Sequence, residues 1–362
     1  MKSNKKLLAA AVIFLLLITP VLVFAGGQQE AEPEAPMVEK EEAPEKKAEP
    51  FALAVVVPGV TAGSPLYEQL VEGAQQAVDK YPNASMKVVE LGFNQAEWAE
   101  KMTSIVATGK YDVVISSNPS MPFVCMELAG QFPDQKFIFV DAFIEGHPQM
   151  ASFLYNQVEQ SYMLGYLAGL ITTSDMTGAN ADLKIGIVVA QEYPALNKMM
   201  VPGFLQGAQA VNADITLDYR VVGNWYDANK AGELAKSMVD AGVDVIGVIC
   251  GGAAPGVFEV AKERNKYVMY WDDNSYAKAP GVIAGCGALH QTKLVSEVVE
   301  DAINGKVKFG TGVKLNSRDG YIEFIGDDPN YLDIIPAAMQ AEHKKVVDSI
   351  MSGSLVLEVP EL

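Results

Sequence analysis

Carboxylates and aromatics recur where the sequence leaves an apolar run. Asp141 directly follows Phe-Ile-Phe-Val140, and Asp272 and Asp273 directly follow the run that ends at Trp271. An acid at the end of a buried strand is costly unless something donates to it, so each needs a donor from the protein or from a ligand. Asn224, Trp225 and Tyr226 follow another such run, and Gly251 and Gly252 follow Cys250. Rings stack on flat molecules, glycines allow close approach to the backbone, and carboxylates accept from ring N–H groups or hydroxyls. Earlier in the chain, Ser64 and Pro65 open a helix ahead of Tyr67. The free N–H groups of such a start either take a cap or receive a ligand oxygen. Ser116-Ser-Asn118-Pro-Ser120 offers hydroxyls and an amide, though the same types also make ordinary turns. Together these groups fit recognition of a planar, neutral, hydroxyl-bearing molecule.

Catalytic constellations are missing. The three histidines, His147, His290 and His343, include no two at metal-ligand spacing. Gly285-Cys-Gly287-Ala-Leu-His290 lacks the third glycine of a dinucleotide loop, and Gly251-Gly-Ala-Ala-Pro-Gly256 lacks the Lys and Ser or Thr of a phosphate loop. No metal and no cofactor are expected, and the chain is not expected to be an enzyme. The competing reading of another class is a cleft hydrolase using Asp141, Asp272 and Asp273 as its acids; a further one is a ligand sensor feeding a chemoreceptor.

Positioning these groups requires strands whose ends share a face. From Phe51 onward, short β-branched runs alternate with amphipathic segments: strands at 51–57, 86–91, 113–116 and 137–140 with helices at 66–81, 97–108 and 126–132 between them. Continuous apolar strands such as Lys136-Phe-Ile-Phe-Val140 must be covered on both faces, as in parallel sheets. The pattern restarts with a helix at 159–171, strands at 184–189, 216–222, 243–249 and 268–271, and helices at 196–211, 230–240 and 255–264. The expected fold is α/β: two doubly wound parallel-sheet lobes joined by a hinge, with 51–158 plus 286–309 in the first lobe and 159–285 plus 310–362 in the second. In open α/β sheets ligands lie outside the carboxyl ends of the strands, so two facing lobes put those ends on both walls of one cleft.

The 362 residues suffice for two such lobes, and 49% hydrophobic with 20% charged residues is ordinary globular composition. A net charge of −18, with Lys and Arg not gathered into a stripe, argues against nucleic acid as a partner. Lys2, Lys5 and Lys6, an apolar run from Leu7 to Ile18 and small residues around Val23-Phe24-Ala25 read as an export signal over 1–25, the alternative being a retained N-terminal anchor. Gly26 stands where a lipoprotein would carry Cys, so a lipid anchor is not supported, and the protein is expected in the periplasm or at the cell surface. Residues 26–50, rich in Glu, Pro, Ala and Lys, read as a disordered linker. Cys125, Cys250 and Cys286, an odd number each in or beside an apolar run, read as small buried hydrophobes.

Four segments resemble the basic membrane protein family, the purine nucleoside receptor group of solute-binding proteins serving ABC importers. They are Gln131-Phe-Pro-Asp-Gln-Lys-Phe-Ile-Phe-Val-Asp141, Tyr162-Met-Leu-Gly-Tyr-Leu-Ala-Gly-Leu170, Gly203-Phe-Leu-Gln-Gly-Ala208 and Ala241-Gly-Val-Asp-Val-Ile246. The resemblance implies a type I periplasmic binding protein fold, a monomer that hands its ligand to importer membrane subunits, and no catalysis. It also implies that Asp141 binds the base, that Trp225 stacks, that Gly251 or Gly252 allows close approach, and that Asp272 binds the sugar. Where nucleoside receptors of this family carry an Asp-Lys-Ser-Phe-Asn-like segment, this chain has Gly63-Ser-Pro-Leu-Tyr67; where they carry a lysine after the crossing strand, it has Gly287-Ala-Leu-His290. Some relatives are similar to riboflavin receptors, whose larger tricycle and ribityl chain would use Tyr67, Trp98 and Tyr226. The expected ligand site is therefore Ser64, Tyr67, Trp98, Asn118, Asp141, Trp225, Tyr226, Gly251, Gly252 and Asp272, with riboflavin slightly favoured over a purine nucleoside.

Overall fold

The computed structural model describes residues 49–362; the export signal and almost all of the linker expected upstream lie outside the described residues. Among the described residues, strands form two six-stranded sheets. The first contains β1 (Phe51–Val57), β2 (Ala84–Glu90), β3 (Val113–Ser117), β4 (Lys136–Val140), β5 (Met150–Tyr155) and β11 (Gly312–Leu315), in the order β11-β5-β4-β3-β1-β2 and parallel throughout. The second contains β6 (Lys184–Val189), β7 (Thr216–Val221), β8 (Val245–Ile249), β9 (Tyr267–Asp272), β10 (Ile283–Leu289) and β12 (Ile322–Phe324), in the order β12-β10-β9-β8-β6-β7. Only its edge strand β12 is antiparallel to its neighbour. Strand for strand, β1 to β5 correspond to β6 to β10.

Burial of both strand faces explains the unbroken apolar runs. In β1, Leu53, Val55 and Val57 join one core and Ala54 and Val56 the other, as the two-residue period of a strand requires. Helices α1 (Pro65–Val78) and α8 (Gln291–Ile303) cover the first face through Leu70, Ala74, Ala77, Leu294 and Val295. Helices α2 (Trp98–Val106) and α3 (Met121–Gln131) cover the second through Trp98, Met102, Val106, Met121 and Cys125. All three cysteines are free and buried.

On the second sheet, α4 (Gln157–Thr172) lies with its backbone almost directly on α5 (Val201–Val211). A Cβ added at Gly165 would fall 1.9 Å from the Phe204 carbonyl oxygen, and one at Gly207 would fall 2.2 Å from that of Tyr162. Helices α6 (Ala228–Asp240) and α7 (Ala254–Glu263) make a second close pair, since a Cβ at Gly256 would meet the Ala228 carbonyl oxygen at 1.8 Å. After α9 (Pro329–Ile334), α10 (Ala337–Met351) docks on α4 through His343, whose Nε2 lies 2.8 Å from the Met163 carbonyl oxygen.

The chain passes between the sheets three times: at Asn156 after β5, at His290 after β10, and through the turn from Asn316 to Tyr321 between β11 and β12. This differs from the expected division at 286 and 310. Cys286 sits mid-strand in β10, paired with Tyr270 of β9, and a chain cannot leave a ladder at that point without breaking it. β11 pairs with β5 and so belongs to the first sheet. The first and third crossings are tied together: Asn156 donates Nδ2 to Asn316 Oδ1 at 3.0 Å, and the Ser317 backbone N–H donates to Glu159 Oε2 at 2.6 Å.

Candidate functional site

Asp141 follows β4, and Asp272 ends β9. Burial raises the Asp141 carboxyl well above the usual carboxylate range, and the nearby charge of Asp272 raises it further. Burial also pushes Asp272 up to about 7, reinforced by Asp273 and partly opposed by Gln160 and Lys278. Each acid has an enclosed Oδ1 with no hydrogen-bond partner within the protein, although Asp272 as a whole is partly exposed. Two acids from opposite sheets thus share one low-dielectric space, which favours neutral carboxyls or external donors.

Tyrosines line this pair. The Tyr67 hydroxyl donates to the Pro58 carbonyl at 3.1 Å and accepts from Asn118 Nδ2 at 3.2 Å, so its ring, and not its hydroxyl, is what it offers a ligand. Its pKa is pushed up to about 12 by burial, against the Asn118 hydrogen bond and with help from Asp141. Tyr155 is the last residue of β5 and Tyr193 lies in the loop after β6, both at strand ends like the acids; burial raises their hydroxyls, and Asp141 and Asp272 add to it.

Loops after the edge strands close the mouth. Gln95, in the 3-10 turn after β2, donates Nε2 to Gln191 Oε1 at 3.3 Å, and the same oxygen accepts from Trp225 Nε1 at 3.1 Å. The rings of Phe93 and Tyr226 lie 5.7 Å apart at 50°. Deeper in, Gln69 of α1 donates Nε2 to the Asp272 carbonyl at 3.3 Å. The two halves therefore touch across the strand ends.

Most of the expected site residues gather here, in roles that differ in detail. Trp225 lies over Gly251, where a Cβ would stand 3.3 Å from Trp225 Cε3, and Gly252 lies 3.2 Å by the same measure from the Trp225 carbonyl oxygen. These glycines thus seat the indole. Gly251 also takes φ 52°, a backbone setting that favours glycine. Tyr226 is exposed at the rim, and Asn118 braces Tyr67 while accepting from the Ser120 N–H at 2.8 Å. Ser64 occupies the N-cap of α1 without a side-chain capping bond.

Trp98 departs from the expectation. It is 4% exposed in the core beneath α2, and its Nε1 donates to the Gly92 carbonyl at 2.8 Å. The 3-10 turn before α2 brings it onto the Trp98, Met102, Val106 stripe, which faces the first sheet. Asp273 is not a free acid either: it accepts from the Ser275 hydroxyl and pairs with Lys278 at 3.1 Å. Among the described residues, no group of three or more His, Cys, Asp or Glu could hold a metal.

Two parallel-dominated sheets, triply connected and with polar strand ends facing each other, define a two-lobed solute-binding fold. An ABC transporter solute-binding protein from Aeropyrum pernix K1 superposes with a TM-score of 0.74 at 20% identity, covering 86% of this chain and 94% of that one. The family model for ABC transporter substrate-binding proteins of the PnrA-like type, Bmp, matches residues 51–355, and the chain belongs to this family of non-enzymatic binding proteins. The chain is 24% identical over 271 residues to the CD4+ T-cell-stimulating antigen of Listeria monocytogenes, covering 70% of this chain and 73% of that protein. It is 26% identical to the ABC transporter nucleoside-binding protein BmpA of Lactococcus lactis, over 58% of this chain and 62% of that protein, a little under two thirds of the relative's length.

Proposed function

We propose that this protein captures a flat, uncharged heteroaromatic molecule bearing sugar or ribityl hydroxyls and delivers it, outside the cytoplasm and as a monomer, to the membrane subunits of an ABC importer. Riboflavin is the preferred ligand. The observation that carries this reading is the acid pair: Asp141 and Asp272 present enclosed acceptors from opposite sheets beside Tyr67 and Tyr193. Lys278, the cation that acts on Asp272, is bonded to Asp273. Such a space rejects anions and welcomes N–H and O–H donors. The pteridine edge of a flavin and its ribityl chain supply both.

The number of rings supports the larger tricycle. Trp98 drops out of the set, but Phe93 and Tyr193 join Tyr67, Trp225 and Tyr226 around the cleft. A purine nucleoside is the second reading, favoured by the likeness to the nucleoside-binding protein of Lactococcus lactis. Equilibrium dialysis of purified protein against riboflavin, inosine and guanosine decides between them. Riboflavin retention with a visible flavin absorbance is expected; undetectable flavin uptake removes the leading choice.

A further inference from the structure

The hinge side of the cleft carries polar groups outside the set expected from sequence. Tyr155 ends β5, and Gln157 and Gln160 lie in the first turn of α4. They are 0%, 3% and 0% exposed, yet the Tyr155 hydroxyl, Gln157 Oε1 and Gln160 Oε1 have no hydrogen-bond partner within the protein. The orientation of Gln160 is fixed, because its Nε2 donates to the Gly287 carbonyl at 2.9 Å and leaves Oε1 as the unused end. These groups adjoin the acid pair: register sets Phe153 beside Val140, so Tyr155 ends its strand next to Asp141, and Gly287, which accepts from Gln160, pairs with Trp271 directly before Asp272.

The inventory is lopsided. Gln157 Oε1 and Gln160 Oε1 are acceptors, the Asp141 and Asp272 carboxyls accept when ionised and can also donate when neutral, and the Tyr155 hydroxyl can donate as well as accept. Buried polar atoms nearly always find a partner, so an enclosed row of this kind requires either ordered water or a ligand rich in donors.

We infer that Tyr155, Gln157 and Gln160 form a hinge-side wall of the ligand site that reads the hydroxyl groups of a neutral sugar or polyol chain. The inference rests on the ligand class proposed above and adds which residues recognise the chain. Each hydroxyl of such a chain donates once and accepts once, so successive hydroxyls satisfy the acceptors while one receives the Tyr155 proton. A phosphate at the chain's end would bring negative charge into an enclosed space beside two acids, which is costly. The wall therefore selects unphosphorylated ligands.

The test measures binding of riboflavin, lumiflavin (the same tricycle with a methyl in place of the chain), flavin mononucleotide, inosine and hypoxanthine to wild type, Tyr155→Phe and Gln157→Met, together with the melting temperature of each ligand-free protein. Both variants are expected to weaken the hydroxyl-bearing member of a ligand pair by about five- to thirtyfold while leaving the chain-less member within about twofold. Tyr155→Phe is expected to melt no lower than wild type, because the hydroxyl it removes has no protein partner to lose. Equal losses for both members of a pair, or no loss, overturn the wall, while riboflavin binding by wild type keeps the ligand reading intact. Flavin mononucleotide binding as tightly as riboflavin also overturns it. If wild type binds inosine and not riboflavin, the flavin choice falls, and selective loss in the inosine–hypoxanthine pair still supports the wall. Binding of none of the five by wild type overturns both.

Discussion

Asp141 and Asp272 occupy the same place in two copies of one plan. Register aligns Val56 with Ser116 and Phe139 in the first sheet, and Val188 with Val248 and Tyr270 in the second. Asp141 lies two residues beyond Phe139 and Asp272 two beyond Tyr270. Both take left-handed backbone, with φ 52° and 81°, which Asp tolerates better than most residues. The acid pair is thus a product of the internal two-fold arrangement of the fold, and its residues act together.

That pairing sets a pH dependence. Both carboxyls have raised pKa values when the halves are closed, Asp272 to about 7. An acid raised on folding contributes stability that is complete below its unfolded pKa and lost as pH rises through its folded one. The melting temperature of ligand-free wild type is expected to fall between about pH 5 and 8. The Asp141→Asn, Asp272→Asn double variant should show a flatter profile by differential scanning calorimetry.

His343 acts at the other end of the scale. Burial lowers its pKa to about 4, against the Met163 hydrogen bond, and its ring packs 4.3 Å from that of Phe324. Its contribution is present above the unfolded value of about 6.5 and drains away as pH falls towards 4, at most about 3 kcal/mol. Urea denaturation of wild type and His343→Gln at pH 7 and pH 4.5 checks this: the gap between them should narrow in acid.

Trp225 is the ring on which the mouth is built, seated on Gly251 and held by Gln191. Trp225→Ala is expected to weaken ligand binding by about 1 to 3 kcal/mol in titration calorimetry. Unchanged affinity would make the indole a packing element alone.

Gln191 joins both halves through one oxygen. Gln191→Ala should speed ligand release by about three- to tenfold with little change in association rate, since contacts formed only on closure act mainly on dissociation. Stopped-flow fluorescence reads the two rates separately.

The legible parts of the molecule were those with a local signature. β1, β3 and β4 are written in Val, Ile and Phe, and the acid that follows β4 was visible for that reason. β5 reads Met-Ala-Ser-Phe-Leu-Tyr, with no β-branched residue and no alternation, although five of its six residues are buried on a central path through the sheet. Missing that strand hid Tyr155 and the wall beside it. Trp98 enters the expected site only as an extra ring for a flavin, whereas its spacing to Met102 and Val106 is that of a core stripe, a signal the sequence did contain. The crossings at His290 and Asn316 follow from β11 choosing β5 as its neighbour, and pairing across more than a hundred residues leaves no local trace.

The seam of α4 on α5 has a mechanical consequence. With carbonyls resting where glycine side chains would be, there is no cushion of flexible side chains between these two rods, so the second half can only swing as a block. Whatever rotation admits a solute must then be absorbed by the three short linkers, and stiffening any one of them, for instance by proline, would trap the cargo or lock it out without touching a single group that contacts it.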